Sequence, residues 1–537
     1  MTDNIQKYLK KILLAATALF MVASLATVIY YIIYPSAEYF HADCTDTILW
    51  AQASFDSKTL FNPDFGYAAM LPFGGTMLMI PLIGIFGVTM TTHHIGMVIF
   101  TLLFFASAWF LCRSLKFSLP LSFSAVGILA LVLSSSAKLR EIFYEHVIYY
   151  SIAAAIIFVL LSLLIRFIEY TDKTAPSGKL IVVVFATVIF SALSALDGMQ
   201  VVATGVLPVL FAAVLEMFLE KDRKLIAKDN AITVCFCVIC GAATVIGNGI
   251  LKFVSNGITA GYAGAFSQYA NMNEWLKNLG NFPEHWFALF GVDVHYGMGI
   301  FSAESIVNMV RMATAALVAI VPVIALVFYN KFDRSSKMLI LAHYGVSGVI
   351  MFGYIFGILS AANWRLSPMV CTGLMVCFVA FRAAKPHVTA KRFSAVAMCV
   401  LVLMSAISVK TIAEMDKNGI ENNEKYQLAK VLEDNGLEYG FATFWNSQAI
   451  TVLSDSKVRV ANTDINENGI APCYYQTNRN WFREQDGIDR YFVLASDYEV
   501  YVLEQTEDWE TFNALAHDII EWNGYKIFIF DSLLFLL

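Results

Sequence analysis

Eleven apolar stretches, each about as long as a bilayer is thick, limit what this chain can fold into. They run over roughly 12–34, 94–112, 119–137, 147–168, 180–196, 199–219, 230–250, 305–329, 338–360, 366–381 and 393–409. A helix needs about 20 residues to cross the hydrocarbon core. Lipid offers no partner for backbone polar groups, so such runs must be helical. The first run is followed by no small-residue cleavage pattern and reads as a retained helix rather than a removed leader. Composition agrees: 58% of the 537 residues are hydrophobic and 15% charged, against about 25% charged in soluble domains. The expected fold class is a polytopic α-helical membrane protein with about eleven spans. No basic tract or nucleic-acid motif is present, so a nucleic-acid partner is not expected.

Sidedness follows from Lys and Arg, which concentrate in cytoplasmic loops. A further apolar run, Leu71 to Thr89, contains Pro72, Pro81 and four glycines, and whether it crosses decides the topology of everything after it. If it does not cross, six cytoplasmic segments hold 19 basic residues, from Lys7, Lys10 and Lys11 through Arg382, Lys385, Lys391 and Arg392. The opposite face of the membrane module then holds 7. If it crosses, the bias reverses. Leu71 to Thr89 is therefore read as a re-entrant or interfacial helix. The N-terminus is placed in the cytoplasm and the chain after the eleventh span outside.

The charge also divides the chain. Residues 1–409 carry 26 Lys+Arg and 20 Asp+Glu, whereas residues 410–537 carry 10 and 22. The expected organisation is a transmembrane module over 1–409, with external loops at 35–93 and 251–304, and an acidic extracytoplasmic α/β domain over 410–537. Aromatic residues of the second loop, Trp275, Phe282, Trp286, Phe287 and Phe290, suit a membrane surface. In the tail, apolar runs at 439–445, 449–453, 491–495, 498–504 and 525–531 suggest strands, with helices near 421–434 and 508–521. Seven of the nine cysteines lie in apolar runs. Only Cys44 and Cys473 look exposed, and no disulfide framework is implied.

Chemistry gathers on the outer side. The first loop opens with His41, Asp43 and Asp46. Asp43 and Asp46 could instead form a capping box for a helix over 44–57. The next outer turn holds Lys138, Arg140, Glu141, Glu145 and His146, where Arg140 could neutralise Glu141 and Glu145 could serve the dipole of the following helix. His93 and His94 open the second span, with no spacing that specifies a metal. Arg365, in Asn363-Trp364-Arg365-Leu366-Ser367-Pro368, offers a planar fork suited to a phosphate, with interfacial anchoring beside Trp364 as the rival reading.

Together these features resemble the GT-C membrane glycosyltransferases, nearest to the protein O-mannosyltransferase and aminoarabinose-transferase branch and its bacterial relatives. The resemblance rests on Asp43 and Asp46 after the first span and on Leu71 to Gly87 in place of that branch's Pro-Pro-Leu…Phe-Gly segment. It rests also on Arg140…Glu145 in place of an Arg…Asp turn, on Asn363 to Pro368 in place of an Arg-Tyr…Pro turn, and on the stretch 439–460. The branch's adjacent Asp-Glu pair and second proline are absent, and Glu145 stands where Asp is usual. The oligosaccharyltransferase signature Trp-Trp-Asp-Tyr-Gly is absent as well, which argues against transfer of whole oligosaccharides to asparagine.

The resemblance implies a sugar transferred, usually with inversion, from a polyprenyl-phosphate donor to a hydroxyl of a glycan, lipid or protein acceptor at the outer face of a bacterial plasma membrane. In that reading Asp43 is the catalytic base. Asp46, Glu145 and His146 bind or orient substrate, and Arg365, with Arg140 or His94, holds the leaving phosphate. Trp445, Tyr474 and Trp481 of the tail offer faces for sugar rings. No metal site is assigned and no cofactor beyond the donor, with a divalent cation left as an option; membrane lipids are the remaining partner. The main rival is a transporter or lipid flippase, which would place ionisable groups at mid-membrane. Here the later spans hold few charges at depth, though His343 and the polar Asn248 lie there.

Overall fold

The computed structural model describes residues 2–171, 178–220, 224, 226–258, 267–358, 361–384 and 388–536. Lys173, Lys221, Arg223 and Lys385, which enter the count of basic residues, lie outside them. The chain divides into two compact bodies. One comprises Met1–Tyr31, Phe100–Leu251 and Phe266–Met415; the other comprises Ile32–Ile99, Lys252–Ala265 and Asp416–Leu537. The first outer loop thus shares a body with the tail.

Ten helices among the described residues are long and apolar enough to cross a membrane. They include α1 (Thr2–Ile33), α4 (Met90–Ser114), α6 (Tyr149–Thr171), α7 (Gly178–Leu196), α9 (Lys228–Val254), α11 (Ala303–Val327), α12 (Arg334–Phe356), α13 (Ser367–Ala383) and α14 (Val388–Ala413); the tenth, Gly198–Leu219, contains α8 (Leu207–Leu219). The expected third span differs. Helix α5 (Leu119–Val132) stops after 14 residues, and a 115° bend leads into Ala137–Glu145, so an eleventh span exists only as a broken one. The break falls at Ser134-Ser135-Ser136, where the Ser136 hydroxyl accepts from Leu139 N at 3.0 Å and starts a new turn. The run read as non-crossing forms a π-helical turn and then α3 (Met77–Phe86). Together, Pro72–Phe86 spans 15 residues, about 22 Å of rise, short of the roughly 30 Å hydrocarbon core.

Helices in lipid associate by close packing rather than by exclusion from water. Gly247 on α9 illustrates this, since a Cβ there would lie 2.1 Å from the carbonyl oxygen of Ala192 on α7. At one end of the body, charged side chains pair. The fully buried Glu216 carboxylate meets Arg334 Nε at 3.3 Å, Lys337 meets Glu220 at 2.6 Å, and Arg382 meets Asp333 at 2.5 Å. In the second long loop, α10 (Met272–Leu289) carries Trp286, whose indole donates to Ala315 O at 3.0 Å. Trp286 and Phe290 are buried rather than at the surface. Exposed apolar residues there include Met272, Leu276, Tyr296 and Phe301.

The second body is built on a six-stranded sheet: β1 (Tyr439–Ala442), β2 (Arg459–Asn466), β3 (Gly469–Pro472), β4 (Tyr491–Ser496), β5 (Asp518–Trp522) and β6 (Tyr525–Phe530), in the order β3-β2-β1-β4-β6-β5. Strand β1 runs parallel to β2 and β4; the remaining pairs are antiparallel. Helices α15 (Glu424–Asp434) and α16 (Phe444–Leu453) cover one face through Leu428, Leu432 and Ile450. Helices α17 (Asp497–Leu503) and α18 (Trp509–Leu515) cover the other through Val500, Leu503 and Phe512.

Two expected strands are helices. The run 449–453 belongs to α16, which is buried on almost every side and so shows no polar stripe. The run 498–504 is α17, started by a capping box in which Ser496 and Glu499 satisfy each other's backbone N–H. The expected helix at 508–521 is α18 followed by β5.

Candidate active site

The candidate residues fall into the two bodies. In the helical body, the turn after α5 brings Arg140, Glu145 and His146 together, all buried. The Glu145 carboxylate accepts a hydrogen bond from the Tyr31 hydroxyl at the end of α1. Arg140 lies 5.3 Å over the Tyr31 ring and donates to Ser134 O at 3.0 Å. Lys138 pairs with Glu141. Lys138 also sits 4.9 Å over the Trp364 ring, which ties this turn to the one bearing Arg365. His146 ends the π-helical turn, its N–H donating to Glu141 O at 3.2 Å.

Arg365 is half-buried and lines a cleft of about 350 Å³. Tyr150, Tyr269, Phe352 and Phe356 form an aromatic wall, and Gln200, Thr204 and Gln268 add polar groups. The guanidinium makes no hydrogen bond or ion pair with the described residues. The cleft therefore pairs a cation with an aromatic surface, a combination suited to an amphiphilic anion.

In the second body, a 3-10 turn over Ala42–Thr45 precedes α2 (Asp46–Ser57). The capping box expected of Asp43 and Asp46 is not what forms. The His41 side chain caps the first turn, accepting from Asp43 N at 3.3 Å, and Thr45 stands before α2 without a side-chain cap. Asp46 accepts from the Gln476 amide. Burial, and after it the nearby Asp43 charge, raise the Asp46 carboxyl well above the ordinary aspartate range.

His93 is buried edge-on to Phe40, ring centroids 4.8 Å apart, with the His94 ring 6.0 Å beyond; His94 Nε2 is buried without a partner among the described residues. Cys44, expected to be exposed, is buried. The exposed cysteines are Cys235 and Cys399 on apolar helices. Of the aromatic residues suggested for sugar rings, Trp445 is 60% exposed, 6.3 Å from the His41 ring, and Tyr474 is also exposed. Trp481 is packed under the Arg459 guanidinium at 4.8 Å.

The first loop is stitched to the tail. Phe65 bridges Asn478, Gln476 N donates to Gly66 O at 2.7 Å, and Gly66 N to Thr477 O at 3.1 Å. Only glycine fits at 66, because a Cβ would meet the Tyr474 carbonyl oxygen at 1.8 Å. Tyr31 and Gln476 went unnoticed in the sequence, since each lies far along the chain from the carboxylate it binds.

No group of three or more His, Cys, Asp or Glu among the described residues could hold a metal ion. These features define a multi-pass α-helical membrane protein with a C-terminal α/β sheet domain. No family model matches the sequence, and no curated protein matches it. Among solved structures the chain is similar to the oligosaccharyltransferase of Archaeoglobus fulgidus in complex with Zn and sulfate. That likeness has 11% identity and a TM-score of 0.48, covering 97% of this chain and 73% of that one. It is similar also to ArnT from Cupriavidus metallidurans bound to undecaprenyl phosphate, at 12% identity and a TM-score of 0.46, covering 96% and 98%. Both are GT-C glycosyltransferases.

Proposed function

We propose that the protein is a membrane glycosyltransferase that moves a sugar from a polyprenyl-phosphate donor to an acceptor hydroxyl at the outer face of a bacterial plasma membrane. The observation that carries this reading is the cleft at Arg365, where a guanidinium without a hydrogen-bond or ion-pair partner among the described residues adjoins an aromatic wall. A polyprenyl phosphate offers the complementary pair, an anion on an apolar chain. The excess of basic residues in one set of loops supports a cytoplasmic N-terminus and an extracytoplasmic tail.

In this reading Asp43 accepts the proton of the acceptor hydroxyl as its oxygen bonds to the anomeric carbon. The bond from that carbon to the phosphate oxygen breaks, and the electron pair leaves with the polyprenyl phosphate. Arg365, with Arg140 or His94, holds that phosphate and stabilises its growing charge. Asp46, Glu145 and His146 orient the sugars. A glycan, lipid or protein carries the acceptor hydroxyl.

Purified protein in lipid nanodiscs, incubated with a panel of polyprenyl-phosphate hexoses and pentoses, tests the reading. Consumption of one donor, with release of polyprenyl phosphate, is expected. Translocation of an intact lipid-linked sugar without cleavage would favour a flippase instead.

A further inference from the structure

Gln476 occupies a position that its backbone disfavours. Its φ is +54°, in the left-handed region where a non-glycine residue is held only if its surroundings demand it. The residue is buried, and every polar group it owns is engaged. Its main-chain N–H donates to Gly66 O at 2.7 Å, and its carbonyl accepts from the Gln448 amide at 3.1 Å. Its side-chain Oε1 accepts from the Trp50 indole at 2.6 Å, and its Nε2 donates to Asp46 Oδ1. Glycine would relieve the backbone but supply neither side-chain contact. Both contacts fall on the first two turns of α2: Asp46 opens it, and Trp50, among the largest fully buried side chains, lies four residues on.

We propose that Gln476 is a positioning residue: its side-chain amide clamps Asp46 and Trp50 and thereby fixes the turn that presents Asp43. The clamp joins two segments 430 positions apart in sequence. An amide suits the task because it donates to the carboxylate and accepts from the indole at once. Glutamate would keep the acceptor for Trp50 and lose the donor for Asp46. This inference rests on the reading of Asp43 as the base, so its test has one arm that does not need turnover.

Full-length Gln476→Gly and Gln476→Glu proteins in nanodiscs serve both arms. Glycine accepts the positive φ, so Gln476→Gly removes the clamp without straining the backbone. In the first arm, hydrogen exchange of the amides over 42–50 is expected to speed up about tenfold or more in Gln476→Gly, while the sheet strands β1 and β4 keep wild-type protection. In the second arm, kcat for donor consumption is expected to fall about 10- to 100-fold in both variants with the donor KM unchanged.

Unchanged exchange over 42–50 overturns the clamp. Faster exchange with wild-type kcat overturns the positioning role. A wild-type protein that consumes no donor defeats the glycosyltransferase reading instead, and the exchange arm then decides for or against the clamp alone.

Discussion

The hydroxyl of Tyr31, in the last turn of the first span, donates to the carboxylate of Glu145, 114 positions along the chain. Both side chains are buried, and Arg140 lies over the same tyrosine ring. A carboxyl group taken out of water in this way needs its partners, because a buried polar group left without a hydrogen bond bears its full desolvation cost.

Removing the Tyr31 hydroxyl while keeping its ring should therefore be felt. Tyr31→Phe is expected to lower stability by about 1–3 kcal/mol, read as a drop in melting temperature. Glu145→Gln keeps an acceptor for the hydroxyl and loses the ionisable carboxyl group. It is expected to melt within a few degrees of wild type while donor consumption falls. Equal melting of Tyr31→Phe and wild type would show that the contact is not maintained.

Asp46 makes stability depend on pH. Its folded-state pKa is raised by burial and then by Asp43, so the folded protein holds this proton more tightly than the unfolded chain. Stability is then lost as pH rises from the ordinary aspartate value of about 3.9 through the raised one. Asp46→Asn keeps an acceptor for the Gln476 amide and has no charge to bury. Its melting temperature is expected to exceed wild type at pH 8, and the gap to close as pH falls toward 4. A gap that stays constant with pH would contradict this.

At the cleft, Arg365→Ala is expected to weaken binding of farnesyl phosphate about tenfold or more, as for a lost charge-assisted hydrogen bond. Binding of farnesol, which has the chain without the anion, should stay the same. Arg365→Lys should recover part of the loss, since it keeps the charge and not the fork. Calorimetry on the nanodisc protein reads all three.

At the other end of the helices, Arg334→Met removes one charged partner of the fully buried Glu216 carboxylate. A loss of about 3–5 kcal/mol is expected from breaking one side of such a pair. Removing both charges in Arg334→Met with Glu216→Leu should recover most of it. Thermal unfolding of the single and double variants checks the coupling.

How much of this was legible in the sequence varied with the range of the interaction. The spans could be read because lipid demands a local property, a run of apolar residues; the third is a broken one, bent where three serines, Ser134 to Ser136, interrupt the helix. Strands β4 and β6 and helix α15 could be read from periodicity. The helices α16 and α17 could not, one buried nearly all round and the other decided by the Ser496–Glu499 cap. Arg365 was legible from its chemistry, as an arginine in a turn poor in positive charge. Asp43 and Asp46 stood out as carboxylates in a loop, but their partners did not. Tyr31 and Gln476 owe their roles to contacts across 114 and 430 positions, and no local pattern marks such a residue.

The most direct test of the glycosyltransferase account is donor consumption by Asp43→Asn. With a donor that the wild-type protein cleaves, the rate is expected to fall about 100-fold or more, as for a lost general base, with melting temperature and farnesyl phosphate binding retained. A folded Asp43→Asn protein that transfers sugar at the wild-type rate would contradict it.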